Sequence, residues 1–180
     1  AFQTEFRPAL PVVFGAKDYR EFRETIEEVD HFLTATGIEH GMLVAHLKLA
    51  AESCPTTHRP KSYKILRQAL RYSILLALTG LSHRVLSQRV ADSAIFQWFT
   101  HTSEIDGVRP SSKSSIERFE KFFSSDEISK LINDCNMAVA DPAGAKERLY
   151  SDVALKFNEI FADTTCVKSN IHYPTDWVLR

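Results

Sequence analysis

A chain of 180 residues, 44% hydrophobic and 25% charged, is long enough to bury a core in one or two domains and too apolar to stay disordered. Its net charge of −1 gives no overall attraction to a polyanion, and its most apolar run, Ile74 to Leu78, is far shorter than the roughly 20 residues of a membrane helix. Three cysteines, Cys54, Cys135 and Cys166, are odd in number and widely spaced, which argues for free thiols in a reducing cytosol.

The first 15 residues lack the basic start and apolar block of a signal peptide. With Ala1 at the start and Arg180 just after an expected strand, the chain reads as a fragment of a longer reading frame. Cys54 and His58 make at most half of a metal site.

Charge is unevenly distributed. Residues 1–54 hold 5 basic and 9 acidic side chains, residues 55–121 hold 11 and 5, and residues 122–180 hold 6 and 9. A basic middle between acidic flanks is the pattern of a module that binds a polyanion; a solvated helix face is the competing reading.

Residues 1–17, with Pro8, Pro11 and Gly15, predict an extended start. Asp18 followed by Glu21 resembles a capping box, and Tyr19, Phe22, Ile26, Val29, Phe32 and Leu33 then recur at helical spacing until Gly37. Glu24, Glu27 and Glu28 lie off that stripe, so this acidic helix reads as a packing or partner element. A second helix is expected over 39–53, with Leu43, Leu47 and Ala50 inward, and the Pro-rich stretch 54–60 breaks it.

Residues 61–79 predict the most apolar helix, with Tyr63, Leu66, Leu70, Ile74 and Leu78 buried and Gly80 ending it. Lys61, Lys64, Arg67 and Arg71 recur at three- and four-residue spacing, which puts them on one face, placed to lie along a phosphate backbone. Ser82 caps the next helix, which carries Arg84 as well as Val85, Leu86 and Val90. Asp92 or Ser93 opens another, whose Trp98 and Phe99 suit core packing better than base stacking.

Residues 100–111 read as a loop. The stretch Ser111-Ser-Lys-Ser-Ser-Ile-Glu-Arg-Phe-Glu-Lys-Phe-Phe then predicts a short helix with Ile116, Phe119, Phe122 and Phe123 inward. A helix start offers free N–H groups to a phosphate, and Ser112, Lys113, Ser114 and Arg118 add donors there. That suits the second helix of a helix-turn-helix; simple capping by Ser111 or Ser112 is the alternative. A further helix is expected from Ser124 or Ser125 through Cys135, and Asp141-Pro142 opens a last short one ending near Ser151.

The closing residues, Phe161-Ala-Asp-Thr-Thr-Cys-Val-Lys-Ser-Asn-Ile-His-Tyr-Pro-Thr-Asp-Trp-Val-Leu-Arg180, predict a buried strand interrupted by Asp163. A carboxylate in a strand core is costly unless paired or bound to a metal. The strand is expected to end near Lys168, and the polar stretch Asn170 to Asp176, with Pro174 unable to donate to a central ladder, reads as a turn or the start of a second strand.

The ordered series Asp163-Thr-Thr followed by Asn170-Ile-His-Tyr-Pro-Thr-Asp176 closely resembles the segment around the first catalytic aspartate of bacterial insertion-sequence DDE transposases. The run Leu78 to Phe99, with its Gly-Leu-Ser turn and Trp-Phe pair, resembles the N-terminal region of the same family. The likeness covers residues 61–180 well and 18–53 loosely. It implies a mainly α chain: an N-terminal helical, helix-turn-helix-like bundle followed by the first strand of a truncated ribonuclease-H-like α/β core. The domains would be 1–54, a helical DNA-binding part 55–150, and the catalytic start 151–180.

By the same resemblance Asp163 is the first metal-binding acid of a triad. Two Mg²⁺ ions, with Mn²⁺ as a substitute, sit ~3.5–4 Å apart in such sites and drive in-line attack on a phosphodiester. The other Asp and the Glu of the family lie beyond Arg180, so the longer parent is the expected enzyme. Thr164 and Thr165 would shape the pocket. Asn170, His172 and Asp176 either support the acid or the DNA backbone, or serve turn chemistry. The implied partners are double-stranded transposon ends and further copies of the parent, with no membrane, in the bacterial cytoplasm at the nucleoid. A regulator that binds DNA without catalysis, or a helical protein-interaction module built on 18–36, are the alternatives.

Overall fold

The computed structural model describes residues 7–53 and 63–140. Among them the fold is mainly α, as expected from the sequence, with seven helices and one two-stranded hairpin. No helix among these residues is long and apolar enough to cross a membrane.

Residues 7–16 run without regular structure into α1 (Lys17–Ala35). The N-cap is Ala16, which supplies no side-chain bond, so the expected Asp18 capping box does not form. Asp18 instead stands inside the first turn, where its charge still opposes the helix dipole favourably. Ile26 and Leu33 are buried and Phe22, Val29 and Phe32 pack against the core, but Tyr19 at the start of the stripe is 66% exposed. Gly37, at φ +67°, takes the left-handed position that ends α1 and lets α2 (Ile38–Ser53) start at once. Leu43 is fully buried and Leu47 half-buried, whereas Ala50 faces solvent.

The centre is α3 (Tyr63–Thr79), which contacts α2, α5 and α6. A helix surrounded this way must be apolar nearly all round. Leu66, Ala69, Leu70, Tyr72 and Leu75 are accordingly buried on more than one face. Leu78, expected inside, is 47% exposed, and Gly80, at φ +63°, closes the helix.

α4 (His83–Asp92) is capped by the Ser82 hydroxyl, which accepts from the Val85 amide. Only Ser93 separates it from α5 (Ala94–Thr100), whose Phe96, Trp98 and Phe99 are buried. His101 ends α5 in the left-handed region at φ 52°. The expected loop 100–111 contains a small hairpin, β1 (Ser103–Glu104) against β2 (Gly107–Val108), with Ser103 opposite Val108. Its turn, Ile105-Asp106, leads into Gly107 at φ +152°. α6 (Lys113–Phe119) and α7 (Ser125–Ala140) complete the described chain. Ile26, Leu33 and Leu43 belong to the same hydrophobic cluster as Leu66, Phe99 and Ile116, so α1 and α2 share one core with α3 to α6.

Candidate nucleic-acid interface

Spacing singles out two groups of basic residues, and the structure separates them. The group on α3 faces inward, toward acids from other helices. Arg71 is fully buried. Its guanidinium donates to Asp30 of α1 at 2.5 Å, to both oxygens of Glu39 of α2 at 2.6 and 3.0 Å, and to the Phe99 carbonyl at 2.9 Å. Burial disfavours its charge, but the Glu39 and Asp30 carboxylates outweigh that and hold the guanidinium protonated.

Arg67 donates to the same Glu39 at 3.2 Å, and Lys64 lies 3.5 Å from Glu104 on β1. Arg7, from the N-terminal segment, reaches Asp30 at 2.6 Å and stacks 3.9 Å above the Trp98 ring. The expectation that Arg71 contacts DNA is therefore corrected. Its donors are taken up by two buried carboxylates and a carbonyl, and no phosphate can reach a side chain of zero exposure. Arg67 is only 18% exposed and shares that carboxylate, while Lys64 remains half-exposed at the edge.

The same cations act on His101. Burial first, and then Arg71, Arg67, Arg7 and Lys64, push its imidazole down to about 2, so it is neutral at any physiological pH.

The second group is at the surface, on α4 and α6. The two helices pack antiparallel. His83 at the start of α4 meets Glu120 beyond the end of α6 at 3.0 Å, and the Ser87 hydroxyl donates to the Ser111 carbonyl at 2.7 Å. Leu86, Val90, Ile116 and Phe119 fill the core side. The Tyr72 hydroxyl accepts from the Ser111 amide at 3.0 Å, which fixes the approach to α6 on the central helix.

On the outer side Arg84, Ser112, Lys113, Ser114 and Arg118 are all exposed. Ser112 is the N-cap, accepting from the Ser115 amide, and its hydroxyl lies within 3.2 Å of those of Ser114 and Ser115. Lys113 pairs with Glu117 one turn on at 3.0 Å, which keeps that carboxyl below the ordinary glutamate range. Arg118 folds back on the Ser114 carbonyl and the Ser115 hydroxyl. Arg89 and Lys121 add two exposed cations that the spacing argument passes over, although Lys121 lies three residues beyond Arg118.

Of the residues expected at the site, Ser112 and Ser114 are in contact and Arg118 folds onto Ser114, while Lys113 on the same helix pairs with Glu117 and Arg84 stands on α4, which packs against α6. Lys61, Asp163, Thr164, Thr165, Asn170, His172 and Asp176 lie outside the described residues, as do Cys54 and His58. Among the described residues no group of three or more His, Cys, Asp or Glu is placed to hold a metal. Comparison with protein-family models, with curated proteins and with solved structures gives no match to this chain.

Proposed function

We propose that the chain is the DNA-binding helical part of an insertion-sequence DDE transposase, continuing into the opening of its metal-dependent catalytic core. The observation that carries the DNA half is the outer face of the α4–α6 pair. Three exposed cations, Arg84 on α4 and Lys113 and Arg118 on α6, are carried by that pair along with the hydroxyls of Ser112 and Ser114. Phosphate contacts of this kind position a protein on a duplex and are salt-sensitive. α5 and the hairpin lie between α4 and α6, so the helix-turn-helix likeness rests on how α6 is presented rather than on a short turn. The catalytic half rests on the likeness of residues 161–180 to the family motif, with Asp163 as first acid for Mg²⁺ or Mn²⁺.

The test is a gel shift with transposon-end duplex at several salt concentrations. Every phosphate that the protein ceases to neutralise lowers the slope of log K against log salt by about 0.9. The variant Arg84→Ala/Lys113→Ala/Arg118→Ala is expected to lower it by about 2 to 3. An unchanged slope sinks the assignment of this face. A regulator that occupies DNA without cutting is the second reading, supported by the same face; in that case a parent chain carrying further acids shows no Asp163-dependent cleavage in Mg²⁺.

A further inference from the structure

Two apolar surface features lie outside the α4–α6 pair. The first is a knob where the N-terminal segment turns into α1. Val12 and Phe14 are 68% and 88% exposed there, and Tyr19 is exposed as well. Gly15, at φ +131°, makes the turn. The Tyr19 ring lies 3.9 Å from where a Cβ on Gly15 would stand, so it covers the backbone next to Phe14. Apolar side chains exposed singly are ordinary, but three within eight residues, two of them aromatic, mark a contact surface.

The second feature is an open trough of about 290 Å³ between α2 and α7. Ile38, Met42 and Ala45 of α2 and Leu131 of α7 give it apolar walls. α7 has no buried side chain, and Leu131 itself is only half-buried.

Charge at the two features is complementary. On α1, Lys17 and Glu21 pair with each other at 3.3 Å, whereas Asp18 and Arg20, on either side of Tyr19, are exposed and form no ion pair among the described residues. On α7, Glu127 is taken up by His46 and Ser124, whereas Lys130 and Asp134 are exposed and form no ion pair among the described residues. An acid and a base thus flank the knob, and a base and an acid one turn apart line the trough.

We propose that Phe14 and Tyr19 of one copy seat in the α2–α7 trough of a second copy, with Arg20 against Asp134 and Asp18 against Lys130, in a reciprocal exchange about a two-fold axis. Size decides for reciprocity. Val12, Phe14 and Tyr19 can bury about 400 Å² between them, matched by a similar area of trough wall, so one contact removes about 800 Å². A specific interface needs roughly 1,000 Å², and two symmetric contacts reach the standard size of about 1,600 Å². The reciprocal pair also closes on itself, whereas a single head-to-tail contact leaves a knob and a trough open at the two ends and grows into a filament. None of these residues belongs to α4 or α6, so the inference does not rest on the DNA-binding reading.

The test is sedimentation equilibrium of the full 180-residue chain without DNA, over about 1–100 μM. The native chain is expected to show a monomer–dimer equilibrium in that range. Phe14→Ser is expected to weaken it by about tenfold or more. The helical circular dichroism of that variant should be unchanged, because so exposed a side chain contributes little to the fold. Arg20→Asp and Asp134→Arg are each expected to weaken the dimer several-fold, and the two in one chain to restore it. The proposal is overturned if the chain stays monomeric throughout, if Phe14→Ser dimerises as tightly as the native chain, or if the two charge variants add instead of compensating.

Discussion

Replacing Arg71 by Met separates a structural from a DNA-contacting role at one position. In the native chain this guanidinium bonds Asp30 and Glu39, side chains that are themselves 8% and 5% exposed. Met keeps most of the apolar stem and removes the charge, leaving two carboxylates in a site with too few cations. Breaking a buried pair in this way costs ~3–5 kcal/mol. Arg7 still reaches Asp30 and Arg67 still reaches Glu39, so the lower end applies, about 3 kcal/mol.

With a urea dependence of about 2 kcal/mol per molar, the unfolding midpoint should fall by about 1.5 M. Equilibrium urea unfolding followed by circular dichroism measures this directly. Adding Asp30→Asn and Glu39→Gln to Arg71→Met should recover part of the loss, because the stranded charges are then gone. By contrast Arg84→Ala and Lys113→Ala should leave the midpoint nearly unchanged, since exposed pairs contribute at most about 1 kcal/mol. If Arg71→Met unfolds at the native midpoint and yet weakens DNA binding, the buried network described above is wrong and Arg71 belongs to the surface.

Other outcomes follow from the same structure. His101 is held neutral in the fold but takes a proton once unfolded, so it contributes stability above its ordinary value that is lost as pH falls. Stability should therefore decline below pH ~6.5 by up to about 1.4 kcal/mol per unit, and His101→Asn, which tolerates the left-handed backbone, should flatten that slope in urea titrations at pH 7 and 5. Burial opposes ionisation of Glu127, but the Ser124 amide and hydroxyl and His46 prevail and depress it, so its contribution is present above the ordinary glutamate range and fades as pH falls below it. Ser124→Ala should cost about 1 kcal/mol by thermal unfolding through loss of that cap. Gly80→Ala, which forces a side chain into φ +63°, should cost ~1–2 kcal/mol although nothing lies within 4 Å of the added carbon.

The helices were legible because their signals are local. Gly37 and Gly80 end helices as read, Ser82 and Ser112 cap them, and Ile116, Phe119 and Phe123 are inward. The failures come from neighbours distant in sequence. Tyr19 and Leu78 continue their stripes but are 66% and 47% exposed. The hairpin was hidden because each strand has two residues, too few for alternation to register, although Asp106-Gly107 is a turn signal. Ser124 and Glu127 do form a reciprocal cap, a pattern readable at three-residue spacing.

Arg71 shows why charge spacing misleads most. Periodicity places Lys64, Arg67 and Arg71 on one face of α3, and nothing in that stretch tells whether the face meets solvent or another helix. The answer lies 28 to 41 residues away, in Glu39 and Asp30. The acidic excess of residues 1–54 and the basic excess of residues 55–121 are thus partly one feature, compensated across the α1–α2–α3 contact. A basic block argues for a polyanion only after cations neutralised inside the fold are removed from it. Applied here, that subtraction takes away Arg71 and most of Arg67 and leaves, among the described residues, the exposed set on α4 and α6 together with Lys64 and Arg109, both beside Glu104. A neutral variant of the α4 and α6 set, and not of α3, is the one that should lose DNA without losing stability.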